Sequence, residues 1–507
     1  MLKDKGIFFV FLISVFLSLY ILNVKQFSKV TVPAHESWNS IMASNYVNNS
    51  YKNQDMFRLV RNNPSYLDSE HEVIYTSYPP GFIIAPLVLR YALDRDITVL
   101  DLRIINLFFY GLGAIFLYLI SSKILSLFQI GRLCKSFFSI LSVIALSSFP
   151  AVLGYQIEMF NYETSFNFYL LIFVFFATKY GINNFVINHK YIYILTSFLL
   201  CYTDWTGIFI VFFTFLYFIF QQKHILEYRY KYYLTLLSPG VAAIILFLYQ
   251  VIHSSNIVYI FDKLILRLGL IESMENNTII ASDTNFLTIL NYIETYFSSY
   301  YLYLFLFSLF FVILIFIKEK KKHDLLVIPV VILPISIIIK LVLFSNHTTG
   351  HTFSIILLSL PFALIGVGLF PLVLSFIGKY AVIGGGAINF SRNIVFLLIL
   401  VTSIINLQSY GDKFERVTSY NQESLALFKL ISDKESIVVT NKINLPVSPP
   451  QLAYIAGKNS LTERDFNSNK ELNNSKKEYL FLMPPPDYLK EKRGGLIDLG
   501  GGLFLWK

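Results

Sequence analysis

The chain is 507 residues long, with 55% hydrophobic and 14% charged residues and a mean hydropathy of +0.58, which excludes a soluble globular domain and defines a polytopic membrane protein. Its formal charge of +9 does not point to nucleic acid, because the basic residues fall mainly in short loops between apolar runs, where they orient membrane segments. The only cysteines are Cys134 and Cys201, so neither a disulfide framework nor a cysteine metal cluster is available.

The apolar runs are continuous and about 15 to 22 residues long, which predicts helices rather than barrel strands. The first, Ile7 to Val24, follows Lys3 and Lys5 and has no small-residue cleavage pattern after it; it reads as a retained helix. A long polar insert, 25–103, comes next. It contains His35-Glu36-Ser37-Trp38 and Tyr75-Thr76-Ser77-Tyr78-Pro79-Pro80-Gly81-Phe82. Within it, Phe82 to Leu93 is apolar but too short to span and carries Pro86 and Arg90, so it is assigned as an interfacial or re-entrant helix.

With the first run, spans are predicted near 7–24, 104–121, 136–153, 165–179, 191–204, 206–221, 232–252, 297–317, 325–344, 353–371 and 393–408, eleven in all. The connections that hold Lys123, Arg132 and Lys135; Lys179 and Lys190; Lys223, Arg229 and Lys231; Lys318 and Lys320 to Lys322; and Lys379 with Arg392 alternate along the chain, as cytoplasmic loops should. Connections 154–164, 204–205 and 345–352 hold no Lys or Arg and fall on the outer side. The inserts 25–103 and 253–296 fall there too. The N-terminus is then cytoplasmic, in an inner or plasma membrane.

From about 409 the composition turns rich in Lys, Glu and Asn. A helix near 421–432, a strand Ser436 to Thr440, a helix near Gln451 to Gly457 and strands at Tyr479–Leu482 and Leu503–Trp506 are predicted, giving a small α/β outer domain over 409–507. The expected architecture is therefore an all-α polytopic membrane module, 1–408, followed by that domain.

On this topology the acids and imidazoles nearest the outer surface are Glu36, Glu158, Glu163, Asp204, His347 and His351. An ionised group at mid-bilayer costs on the order of 3 kcal/mol on insertion scales, so several of them at one face suggest a wet cavity. Each has a plainer reading. Glu36 is also placed as a helix N-terminal charge, Glu163 as a first-turn charge, and Asp204 as a turn residue beside the interfacial Trp205. His347 and His351 are four apart, which permits a shared metal, but no HExxH pattern accompanies them; contact with phosphate or substrate is the preferred reading.

An acid soon after the first span, Tyr78-Pro79-Pro80-Gly81, Arg103 at the start of the next span, and Glu158 or Glu163 in the second outer loop together resemble the GT-C membrane glycosyltransferases. Among these the closest in pattern are the protein O-mannosyltransferase and aminoarabinose-transferase group, and the resemblance covers about residues 7 to 370 by architecture. It implies a polyprenyl-phosphate-linked sugar donor, a lipid, glycan or protein acceptor, and inverting transfer of a hexosyl or pentosyl group. It also implies that Glu36 is the catalytic base. His35, Trp38, Tyr78, Pro79, Pro80, Arg103, Glu158, Glu163, Asp204, His347 and His351 would bind substrate. No cofactor is called for, although a divalent metal stays open. Two departures stand out: the relatives usually carry Asp where this chain has Glu36, and often Lys or His where it has Tyr78. A transporter or flippase of lipid-linked sugars and an O-antigen-type polymerase or ligase are the alternatives; the chain lacks the paired Gly/Pro-broken helices expected of inverted-repeat transporters.

Overall fold

The computed structural model describes residues 34–54, 60–61, 73–74, 79–153, 160–221, 229–254, 286–345, 348, 352–380, 391, 393–407, 437–440, 460–462, 479–481, 496–500 and 503–506. The helices in chain order are α1 (Ala34–Lys52), α2 (Ile84–Leu93), α3 (Val99–Leu127), α4 (Arg132–Ser148), α5 (Tyr162–Tyr180), α6 (Ile182–Ile187), α7 (Lys190–Cys201), α8 (Trp205–Gln221), α9 (Arg229–Ser254), α10 (Phe286–Phe297), α11 (Ser299–Lys318), α12 (Lys320–Leu343), α13 (Ser354–Gly368), α14 (Phe370–Lys379) and α15 (Asn393–Leu407). The chain divides into two compact units, one of Met1–Val24, Thr76–Ala85 and Arg103–Gly411, the other of Lys25–Tyr75, Pro86–Leu102 and Asp412–Lys507.

The first unit is a helical bundle built for lipid. Among the described residues, α3, the Tyr232–Ile252 part of α9, α11 and α12 are long and apolar enough to cross a membrane, and the pair α13 and α14, bent by 40°, makes a fifth if counted as one span. The protein is accordingly a multi-pass membrane protein. Eleven spans are not carried by the described residues: the stretches expected at 136–153, 191–204 and 206–221 coincide with helices of 17, 12 and 17 residues, and α5, which covers 165–179, is long enough but is not among the helices apolar enough to cross. The expected first span lies outside them. Phe82 to Leu93 forms a 3-10 turn, Pro80–Ile83, running into α2, a short apolar helix and not one of the candidate spans.

Local chemistry explains the bundle's irregularities. In α12, Pro329 falls within a π-helical stretch, Val327–Ile332, where the wider turn accommodates a residue that has no N–H and crowds the preceding carbonyl. Helices approach closely where side chains are small: Ser139 Oγ donates to Ser121 Oγ at 3.2 Å, and a Cβ on Gly368 would stand 2.8 Å from Ser121 Oγ. Without a hydrophobic drive between helices in lipid, such close packing is what holds them. Buried rings fill the wider gaps, with Phe149 meeting Phe297 and Tyr301 edge-on at 5.0 and 4.9 Å. The outer face of α11 leaves Tyr303, Leu306, Phe310 and Ile317 uncovered, as a lipid-facing surface would.

In the second unit, α1 is stapled to the stretch before α3. Asn48 accepts from the Ile97 N–H at 2.8 Å and donates to the Ile97 carbonyl at 3.0 Å, and Ser44 donates to the same carbonyl at 2.5 Å. Arg90 is buried, lies 3.8 Å over the Tyr51 ring and pairs with Asp96 at 3.2 Å. Thr98 and Asp101 form a capping box at the start of α3: Asp101 Oδ2 accepts from the Thr98 N–H at 2.8 Å, and Thr98 Oγ1 accepts from the Asp101 N–H at 3.3 Å. Arg95 grips the same carboxylate at 2.7 and 2.8 Å, and this holds the Arg95 guanidinium above its ordinary pKa. Asp101→Ala is expected to cost about 1–2 kcal/mol through the lost cap, read as a lower thermal midpoint in lipid nanodiscs; an unchanged midpoint would show that the cap does not hold this end of α3.

This unit also contributes strands. β1 (Val60–Arg61) and β2 (Val73–Ile74) pair antiparallel. A separate five-stranded sheet of β3 (Ile437–Thr440), β4 (Ser460–Thr462), β5 (Tyr479–Phe481), β6 (Leu496–Gly500) and β7 (Leu503–Trp506) runs in the order β4-β3-β5-β7-β6. β3 is parallel to both β4 and β5, whereas β7 is antiparallel to β5 and β6. The helices expected near 421–432 and 451–457 lie outside the described residues. Parallel neighbours need a crossover connection, usually a helix, so an α/β outer domain stays a proposal.

Candidate functional site: a buried acid–lysine cluster

α5 starts on a reciprocal cap: Asn161 Oδ1 accepts from the Thr164 N–H at 3.0 Å, and Thr164 Oγ1 accepts from the Asn161 N–H at 3.2 Å. This fixes the first turn of α5, which carries Glu163. Asp204 sits in the tight turn between α7 and α8, where its Oδ1 accepts from the Thr206 N–H at 2.7 Å and from the Thr206 hydroxyl. The hairpin is close, since a Cβ on Gly207 would meet the Leu200 carbonyl carbon at 2.4 Å. Both carboxylates are fully buried.

A third helix reaches them. Lys340, near the end of α12 and also fully buried, places its Nζ 3.8 Å from Glu163 Oε1 and 4.0 Å from Asp204 Oδ2. These separations exceed a hydrogen bond, so the attraction is Coulombic, and at this depth it is weakly screened. Ser354 Oγ donates to Glu163 Oε1 at 3.0 Å. Glu163 Oε2, Asp204 Oδ2 and Lys340 Nζ are buried without a hydrogen-bond partner among the described residues. Two carboxyl groups and one amine buried together are costly to keep ionised in a lipid-embedded bundle.

The Pro-Pro element docks on the same turn. Pro79 and Pro80 are buried, and the Gly81 N–H donates to the Tyr202 carbonyl at 2.7 Å, two residues from Asp204. Phe82 meets Tyr162 edge-on at 6.4 Å, beside Glu163. Of the residues expected to bind substrate, the structure therefore brings Glu163, Asp204, Pro79 and Pro80 into one neighbourhood. Arg103 is buried in the second turn of α3. Glu36, His35 and Trp38 belong to the first turns of α1, with side chains outside the described residues. Tyr78, Glu158, His347 and His351 lie outside them altogether. Among the described residues no three His, Cys, Asp or Glu side chains are grouped to hold a metal.

Sequence reasoning missed Lys340, Ser354 and Thr206. For Lys340 the signal was present: a lone lysine inside the apolar run Leu333–Leu343 marks a functional position by default, with a partner to be sought. Ser354→Ala is expected to destabilise the protein by about 1 kcal/mol, the usual net value of a buried hydrogen bond. A double-mutant cycle with Glu163→Gln in thermal unfolding checks it; additive losses would show that the two side chains do not interact.

Also in the first unit, Phe109, Leu146, Phe168, Leu171 and Leu360, with Tyr110 and Asn167 as polar members, line a small cavity of about 20 Å³. The fold is that of the GT-C membrane glycosyltransferases. In particular, the structure is similar to that of the archaeal oligosaccharyltransferase AglB from Archaeoglobus fulgidus in complex with an inhibitory peptide and a dolichol-phosphate, at 11% identity over 94% of this chain and 69% of that one, with a TM-score of 0.57. It is also similar to ArnT from Cupriavidus metallidurans bound to undecaprenyl phosphate, at 8% identity over 97% of each chain, with a TM-score of 0.54. No protein-family model matches the sequence, and no curated protein sequence matches it.

Proposed function

We propose that this protein is an integral membrane glycosyltransferase that moves a sugar from a polyprenyl-phosphate donor to an acceptor at the extracytoplasmic face. The observation that carries the reading is the convergence of Glu163, Asp204 and the Pro79-Pro80-Gly81 element at one place. The fold gives it context, since AglB was solved with dolichol-phosphate and ArnT with undecaprenyl phosphate; a fold alone does not fix a function.

In the reaction, an acceptor hydroxyl or amine attacks the anomeric carbon while the bond from that carbon to the phosphate oxygen breaks. The electron pair leaves with the polyprenyl phosphate, and the configuration inverts. The acceptor's proton passes to a carboxylate, for which Glu36 is the choice. Arg103 is the first choice for stabilising charge as it grows on the phosphate oxygen. Glu163 and Asp204 each keep an oxygen without a hydrogen-bond partner among the described residues, which suits them to hydroxyl donors. The isoprenoid tail would lie against the apolar helices, and Trp38, Tyr75 and Tyr78 would stack on the sugar ring.

The test is transfer by purified protein from a panel of radiolabelled polyprenyl-phosphate sugars to lipid, glycan and peptide acceptors. Release of polyprenyl phosphate with sugar-dependent product supports the reading. Bound donor that is never consumed, but crosses the bilayer of proteoliposomes, would replace it with lipid-linked sugar transport.

A further inference from the structure

Lys340 takes no part in the chemistry set out above, yet its ammonium is fully buried and meets carboxylates from two other segments. The orientation of each acid is already set locally, Glu163 by Ser354 and Asp204 by Thr206. At 3.8 and 4.0 Å the ammonium adds no directed hydrogen bond. What it adds is one attraction shared by groups on α5, the 202–204 turn and α12. Buried ion pairs often add little to stability compared with apolar packing, so a lysine held at this depth points to placement.

The turn that Lys340 holds is also the seat of the Pro-Pro element. Its Tyr202 carbonyl accepts the Gly81 N–H at 2.7 Å, and the fit is so close that a Cβ on Gly81 would stand 2.3 Å from that oxygen. We propose that Lys340 is a positioning residue: through Asp204 it fixes the 202–204 turn, and through that turn the Pro79-Pro80-Gly81 element. The effect on donor binding rests on the glycosyltransferase reading, whereas the effect on placement stands on the geometry alone.

Hydrogen exchange separates the two. Pro79 and Pro80 have no amide hydrogen, so in a peptide beginning at Pro79 the first amide to report is Gly81. Lys340→Met and the double variant Lys340→Met/Asp204→Asn are compared with wild type in nanodiscs. The double variant keeps an oxygen at position 204 for the Thr206 N–H and leaves Glu163 as the one carboxyl of the cluster without its cation, so it burdens the fold less than the single variant. Unchanged protection of α11 verifies that fold. The expected result is exchange at Gly81 about tenfold faster in both variants, as local opening of a released segment gives, with the KM for the donor raised about tenfold and kcat less affected in Lys340→Met, which keeps Asp204. Wild-type exchange at Gly81 in the folded double variant overturns the proposal. If the exchange responds but wild type transfers no sugar from any donor, the positioning role stands and the glycosyltransferase reading falls.

Discussion

Glu36→Gln is expected to lower sugar transfer by about 100- to 10,000-fold, the usual contribution of a positioned general base, while donor binding stays within a few-fold of wild type. Gln keeps the size and hydrogen-bonding reach of Glu but does not take up the acceptor's proton. Glu36 lies in the first turn of α1, where the plainer alternative is a charge set against the helix N-terminus. That alternative predicts a small loss of stability, roughly 0.3–1 kcal/mol, and no loss of turnover. Measuring product formation and thermal midpoint on one preparation therefore divides the two roles. Turnover that survives Glu36→Gln but is lost with Glu163→Gln would move the base to Glu163.

Gly81→Ala is expected to be the most damaging of the small substitutions, at about 2–4 kcal/mol from overpacking together with the lost hydrogen bond. The added methyl would stand 2.3 Å from the Tyr202 carbonyl oxygen and 2.6 Å from Thr203 Oγ1, and neither can yield easily. The oxygen is backbone in a turn, and the Thr203 hydroxyl is committed to the Leu199 carbonyl at 2.6 Å. The substitution therefore pushes out the Pro79-Pro80-Gly81 element and takes the Gly81 N–H from its acceptor. A fall in thermal midpoint together with loss of transfer is the expected outcome. A variant that retains both would mean that the element does not sit against this turn in the working protein.

The class of protein and much of its helical layout could be read from the sequence because continuous apolar runs and the lysines between them are local signals. The runs predicted at 104–121, 232–252, 297–317 and 325–344 each fall on a helix fit to cross a membrane. Glu163 and Asp204 were also within reach, since each marks a polar break between runs. Lys340 escaped because it sits inside such a run, and a search for cations confined to loops passes over it. Ser354 escaped for a different reason: its contact with Glu163 joins residues 191 positions apart, and no periodicity reports such a meeting. Strands β4 and β6 were missed for the same kind of reason, as short segments made by pairing rather than by their own pattern.

The cluster also sets an order on how the molecule is made. Glu163 and Asp204 enter the membrane region with α5 to α8, but their ammonium partner arrives only when the ribosome has passed residue 340 and α12 has been released. At synthesis rates of roughly 5–20 residues per second, the two acids wait on the order of ten to thirty seconds without a counter-charge. Over that interval the 202–204 turn is held near α5 by the packing of α7 alone, as where Phe173 meets Tyr193 at 6.1 Å. The ion pairs that join these segments therefore form late, as a consequence of where in the chain Lys340 is encoded.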